Sequence, residues 1–166
     1  MIKFVRLAAL AAVATVATTP AFAVPATSKP TANVTLTKPL TLARDRDLNF
    51  GSVAVYASDT ISIDAATGVV TCGNTPGNLT CTGAPVSARY RVTGNNNSSV
   101  NVNYSTTSTL TNGTDDLTFT PNGQATVALT NSGSVGVLFN VGGQIDIDEA
   151  VSPGIYSGDI EVTVDY

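Results

Sequence analysis

The stretch Gly154-Ile155-Tyr156-Ser157-Gly158-Asp159-Ile160-Glu161-Val162-Thr163-Val164-Asp165-Tyr166 decides the fold. Tyr156, Ile160, Val162, Val164 and Tyr166 share one parity, and Asp159, Glu161, Thr163 and Asp165 take the other. Successive side chains of a strand point to opposite faces, so the alternation predicts a β-strand with one buried face. This strand reaches the last residue of the sequence with nothing behind it to cover its edge. An exposed edge of that length invites pairing with another strand, which makes assembly by strand exchange the first functional expectation.

Working back along the chain, short apolar alternations recur between turn formers. Strands are predicted over 32–42, 47–56, 60–64, 68–71, 86–93, 99–105, 116–120, 125–130, 135–141, 144–148 and 155–166. Breakers separate many of them, among them Gly94-Asn95-Asn96-Asn97, Pro121-Asn122-Gly123 and Gly142-Gly143. Valine and threonine favour strands, Gly, Asn, Ser and Pro favour turns, and no helical period stands out. Many short strands at this spacing predict an all-β fold, a single antiparallel β-sandwich. Parity nominates a core of Leu48, Phe50, Val100, Val102, Tyr104, Leu117, Phe119, Val127, Leu129, Val137, Phe139, Ile145 and Ile147.

The first residues read differently. Lys3 and Arg6 precede an apolar run, Leu7 to Val16, too short to span a bilayer, and Ala21-Phe22-Ala23 offers an A-x-A cleavage site. The expected organisation is a signal peptide at 1–23, an N-terminal extension at 24–37 and a sandwich domain at 38–166. Export without membrane insertion follows from that reading. Losing Lys3 and Arg6 leaves 6 basic residues against 12 acidic ones, a net charge of −6. Such a balance gives no electrostatic footprint for nucleic acid. Cys72 and Cys81, the only two cysteines, read as one structural disulfide in an exported chain, closed across a hairpin.

Catalytic signals are sparse. Histidine is absent, which removes the commonest general base and metal ligand. No serine sits in a G-x-S-x-G elbow or beside an S-x-x-K motif. Asp146 and Asp148 share a strand face and could be an acid pair or calcium ligands, but a solvated face explains them more simply. Arg89 and Arg91 share another face, and Arg44-Asp45-Arg46-Asp47 alternates in charge, which reads as a salt-bridged surface. The expectation is a non-enzymatic protein without cofactor, metal site or catalytic residues.

Three features together carry a resemblance: the leader, Asp47-Leu48-Asn49-Phe50-Gly51, and Pro153-Gly154-Ile155-Tyr156 leading to Val162-Thr163-Val164-Asp165-Tyr166. In these the chain resembles spore-coat-protein-U-like secreted domains, archaic chaperone–usher pilins and a related fimbrial-like bacterial family of unknown function. The resemblance implies an incomplete immunoglobulin-like sandwich that lacks its last strand. A periplasmic chaperone would fill the gap first, and an N-terminal strand of a like subunit would then replace it. Ala32, Val34 and Leu36, alternating with Asn33, Thr35 and Thr37, supply the candidate donor strand. Tyr156, Ile160, Val162, Val164 and Tyr166 would form the edge that pairs with chaperone or donor. The implied role is a pilus-like structural subunit, moving through the periplasm to the cell surface. The alternative is a self-complete secreted binding module, for carbohydrate or surface adhesion, whose N-terminal strand pairs with its own domain.

Overall fold

Valine- and threonine-rich runs fold into twelve strands in the computed structural model, which describes residues 25–130, 132–133 and 135–166. In chain order they are β1 (Thr41–Arg46), β2 (Ser52–Val55), β3 (Asp59–Ile63), β4 (Val70–Cys72), β5 (Leu79–Thr82) and β6 (Ala88–Thr93). Then come β7 (Ser98–Tyr104), β8 (Ser108–Thr111), β9 (Asp116–Gly123), β10 (Thr126–Leu129), β11 (Val137–Ile147) and β12 (Val162–Asp165). The leader expected at 1–23 lies outside the described residues. Thr35–Tyr166 form one compact unit. From residue 25 to residue 40 the described chain enters no strand, so the run expected over 32–42 is a strand only from Thr41.

The fold is an all-β sandwich in which every ladder is antiparallel. Its long strand, β11, is shared. One edge of β11 pairs first with β6 (Val137↔Val92 to Val141↔Ala88) and then with β3 (Gly143↔Ile63 to Ile147↔Asp59). Its other edge carries β9, which in turn carries β8. β1 and β4 finish the sheet beyond β6 and β3. Two smaller covers face it: the sheet β10-β7-β12 and the ribbon β2-β5.

Each cover closes one apolar cluster. Under β10-β7-β12 lie Val92, Val100, Val102, Val127, Leu129, Phe139 and Val141. Under the ribbon lie Ile61, Leu79, Leu117, Phe119, Ile145 and Ile147. Phe139, Val141, Ile145 and Ile147 have one parity, so β11 feeds both clusters from one face. Leu48 packs against both. Most of the core nominated from parity is buried, and Leu48, Phe50, Tyr104 and Val137 are half-buried at its margins.

Two expected breakers lie inside strands. Gly142-Gly143 sits where β11 changes partner from β6 to β3. A Cβ on Gly142 would run into the Ile63 carbonyl, and one on Gly143 (φ 155°) would lie 2.5 Å from the Phe119 ring. The glycines are there for close approach rather than for a turn. Pro121 lies in β9 beyond Phe119, the last β9 residue paired with β8. That side of β9 has become an edge, where a missing N–H costs no ladder bond.

Gly143→Ala should therefore lower stability by about 1–3 kcal/mol, through overlap with Phe119 and the unfavourable backbone angle. Gly133→Ala, where a Cβ meets nothing within 4 Å, is the control and should be near neutral. Urea unfolding of both variants checks this, and equal midpoints would refute the close-approach account.

Candidate functional site

An apolar groove of about 940 Å³ opens over the second cluster. Its floor is Ile61, Leu117, Phe119, Ile145 and Ile147, and Phe50 meets Phe119 edge-on at 6.0 Å. The floor side chains are buried, so the walls stand close above them. One wall is residues 48–55 and the other is residues 149–160.

The first wall is well tied. Asn49 and Val86 exchange backbone hydrogen bonds at 2.9 and 2.8 Å, and β2 pairs with β5 from Ser52↔Thr82 to Val55↔Leu79. Gly51 turns the chain between these ties with φ 78°, where a Cβ would collide with the Thr82 carbonyl. Cys81 on β5 is bonded to Cys72 on β4. Since β4 pairs with β3 and β5 with β2, the disulfide joins two sheets instead of closing the hairpin expected from the spacing. Asp59 braces the loop beside it, accepting from the Thr60 and Asn74 amides at 2.8 Å and from the Thr75 amide at 2.9 Å.

The second wall is held differently. Only Val162–Asp165 of the long terminal alternation is a strand, paired on one edge with β7. Residues 149–160 belong to no strand, and Ser157 makes one isolated bridge to Thr111. Asp115 accepts the Ser152 amide at 2.7 Å, and the Tyr156 hydroxyl donates to the Ser152 carbonyl at 2.8 Å. The bonds from Ser152 hold the Asp115 carboxyl below the usual range, while burial pushes the Tyr156 phenol up. Gly158 lies against β8 so closely that a Cβ would collide with the Thr109 carbonyl.

The residues nominated from sequence fall in three places. Tyr156 and Ile160 face the groove, whereas Val162 and Val164 pack on the first cluster. The Tyr166 hydroxyl bonds elsewhere, to the Asn95 amide. Ala32, Val34 and Leu36 lie in no ladder, with Val34 81% and Leu36 86% exposed. Sequence reasoning missed Val53, Val55, Leu110, Val151 and Asp115. The parity of Val53 and Val55 was readable, but nothing local shows that Asp115 anchors Ser152. Arg89 and Arg91 both grip Asp45, at 2.6 and 3.2 Å, and Arg44 meets Asp47 at 3.0 Å, the salt-bridged surface expected. Asp146 is exposed and accepts from the Thr60 hydroxyl at 2.9 Å.

The fold and groove define an all-β sandwich with a large groove lined mainly by apolar side chains. The chain belongs to the family described as a domain of unknown function, DUF4402, whose model matches residues 40–166. The match leaves Ala32, Val34 and Leu36 outside it. No curated protein and no solved structure matches the chain.

Two outcomes follow. Reducing the disulfide, or replacing both cysteines by serine, should cost about 2–3 kcal/mol for a ring of this size, read as a lower urea midpoint. An unchanged midpoint would show that the ribbon needs no covalent tie. Acid should act through the carboxylates. Asp45 is held below its ordinary value of 3.8 chiefly by Arg89, then Arg91; Asp59 by the Asn74 and Thr75 amides; Asp64 by Thr67; Asp115 by Ser152. Depressed folded values mean the unfolded chain takes up protons first as pH falls. Their stabilisation is full above about pH 4–5 and is lost as pH drops through the lowered values. Urea midpoints that stay level from about pH 5 to about pH 2 would contradict this.

Proposed function

We propose that this chain is a non-enzymatic, exported structural subunit of a bacterial surface fibre. Copies join when residues 32–36 of one are lent as a strand to the groove of the next. The observation that carries the reading is the polarity of the body. Lys38, the base of the arm, is bonded to Asn95 beside the Val137 end of β11, while the groove is lined by Ile145 and Ile147 at its other end. At about 3.3 Å per residue, the eleven-residue strand separates the two by roughly 33 Å. A donor at one end and an acceptor at the other make a head-to-tail contact that does not close, the geometry of a filament.

The chemistry of the pair supports the same reading. Ala32, Val34 and Leu36 would seat on one side of an inserted strand, against the apolar floor, while Asn33, Thr35 and Thr37 face out. Burying Val34 and Leu36 contributes about 1.5–3 kcal/mol each, before ordering costs. The inserted backbone would find partners along residues 151–160, which enter no ladder. On the likeness to chaperone–usher subunits, a periplasmic chaperone occupies the groove before a like subunit does. The self-complete binding module expects the N-terminal run to form the first strand of its own sandwich, whereas residues 25–40 are in no strand.

The experiment is electrophoresis in SDS, with and without boiling, of the surface fraction from cells making the native assembly partners. A ladder that collapses to monomer only on boiling is expected, shortened by Val34→Asp and abolished by deleting residues 24–37. A single monomer band in both lanes would overturn the proposal in favour of the binding module.

A further inference from the structure

At the arm's base three hydrogen bonds close a ring. The Lys38 amide donates to Asn95 Oδ1 at 2.6 Å, the Asn95 amide donates to the Tyr166 hydroxyl at 2.7 Å, and that hydroxyl donates to the Lys38 carbonyl at 3.3 Å. Both backbone groups of Lys38 are thus taken up by residues far away in sequence. Pro39 follows, fixing its own φ and confining Lys38 to extended conformations. Leu40 then packs on the first apolar cluster.

The loop that receives this ring is itself held firmly. The Ser132 hydroxyl, buried at 1% exposure, donates to the Gly94 carbonyl at 2.7 Å and accepts the Gly94 amide at 3.3 Å. The Asn97 amide donates to the Leu129 carbonyl at 2.7 Å, and Asn97 adopts φ 59°. Gly94 leaves the space the ring needs. A Cβ there would collide with the Tyr166 hydroxyl and approach Leu40 and Leu129 to 3.0 Å.

We infer that Tyr166 is a positioning residue for strand lending: its hydroxyl pins Lys38 to the 94–97 loop and so fixes the direction in which the arm leaves the body. The inference rests on the reading that residues 32–36 are lent to a neighbour. Insertion alone determines that two copies are joined. A fixed exit direction determines the angle between them, repeated at every joint. The alternation that packs Val164 against the first apolar cluster also places the Tyr166 ring on the same face, so one strand presents both the apolar contact and the pin.

Tyr166→Phe removes the hydroxyl and keeps the ring. In the monomer, the amide order parameter at Lys38 should fall from about 0.85, the value of rigid backbone, to below about 0.6. Capture of a synthetic peptide of residues 30–38 by the groove of an arm-deleted body, at the far end of β11, should be unchanged. Filaments of the variant should form but lose stiffness, read as a shorter persistence length by electron microscopy. Gly94→Ala, which displaces the hydroxyl from the other side, should reproduce both effects. An unchanged order parameter in both variants, or filaments of unchanged stiffness despite a loosened Lys38, would overturn the inference. If neither wild type nor variants polymerise or capture the peptide, strand lending fails, and with it the positioning role, even where Lys38 loosens.

Discussion

The structure depends on one strand being able to serve three partners within one sheet. β11 runs past β6, then β3, on one edge while β9 lies along the other, and its inward side chains supply both apolar clusters. The change of partner requires β11 to pass within touching distance of the Ile63 carbonyl and the Phe119 ring, which only residues without side chains allow. Phe119, fully buried, occupies the space vacated at Gly143 and ties β9 to the middle of the sheet. Without that approach the two clusters could not share a strand, and the groove would have no common floor with the core that supports it.

Much of this was legible in the sequence because parity is a local property. Val100, Val102, Val127, Leu129, Leu117, Phe119, Phe139, Ile145 and Ile147 alternate with polar neighbours and are buried. Burial of Ile63 and Val141 was missed because both lie at the partner change, where a strand is covered from a direction its own sequence does not encode. Gly142-Gly143 and Pro121 looked like breaks because isolated glycine and proline signals do not distinguish a turn from a close approach or an edge. The disulfide was legible as a bond but not as a link between sheets, since nine residues of separation suit either geometry. The groove was the least legible feature. Its second wall has the alternation of a strand, yet Gly154 and Gly158 bring it against the Asn112 side chain and the Thr109 carbonyl, and it makes a single bridge instead of a ladder.

The two walls differ in what holds them. Residues 48–55 are secured by a ladder, a double backbone bridge and, through Cys81, a covalent bond to the main sheet. Residues 149–160 are secured by side-chain contacts at Asp115 and Tyr156 and by the bridge at Ser157. Backbone ladders are cooperative, whereas scattered side-chain bonds, each worth about 0.5–1.5 kcal/mol, can break singly. On the strand-lending reading, the second wall is the side that yields to an incoming strand. It is also the side whose unpaired backbone gains most by receiving one.

On the strand-lending reading, that asymmetry bears on why the arm is offered to a second copy. An arm tethered at Lys38 beside the Val137 end of β11 must cover roughly 33 Å to reach Ile147. Residues 32–36 end only two residues before Lys38, which at about 3.3 Å per residue leaves too little chain for them to lie along their own groove. On the strand-lending reading, the length of the tether then keeps the apolar segment from its own groove. A second copy has no such limit, because its groove can be brought to the arm by translation of the whole body. On the strand-lending reading, the short tether and the opposed ends make the remaining contact one that repeats without closing.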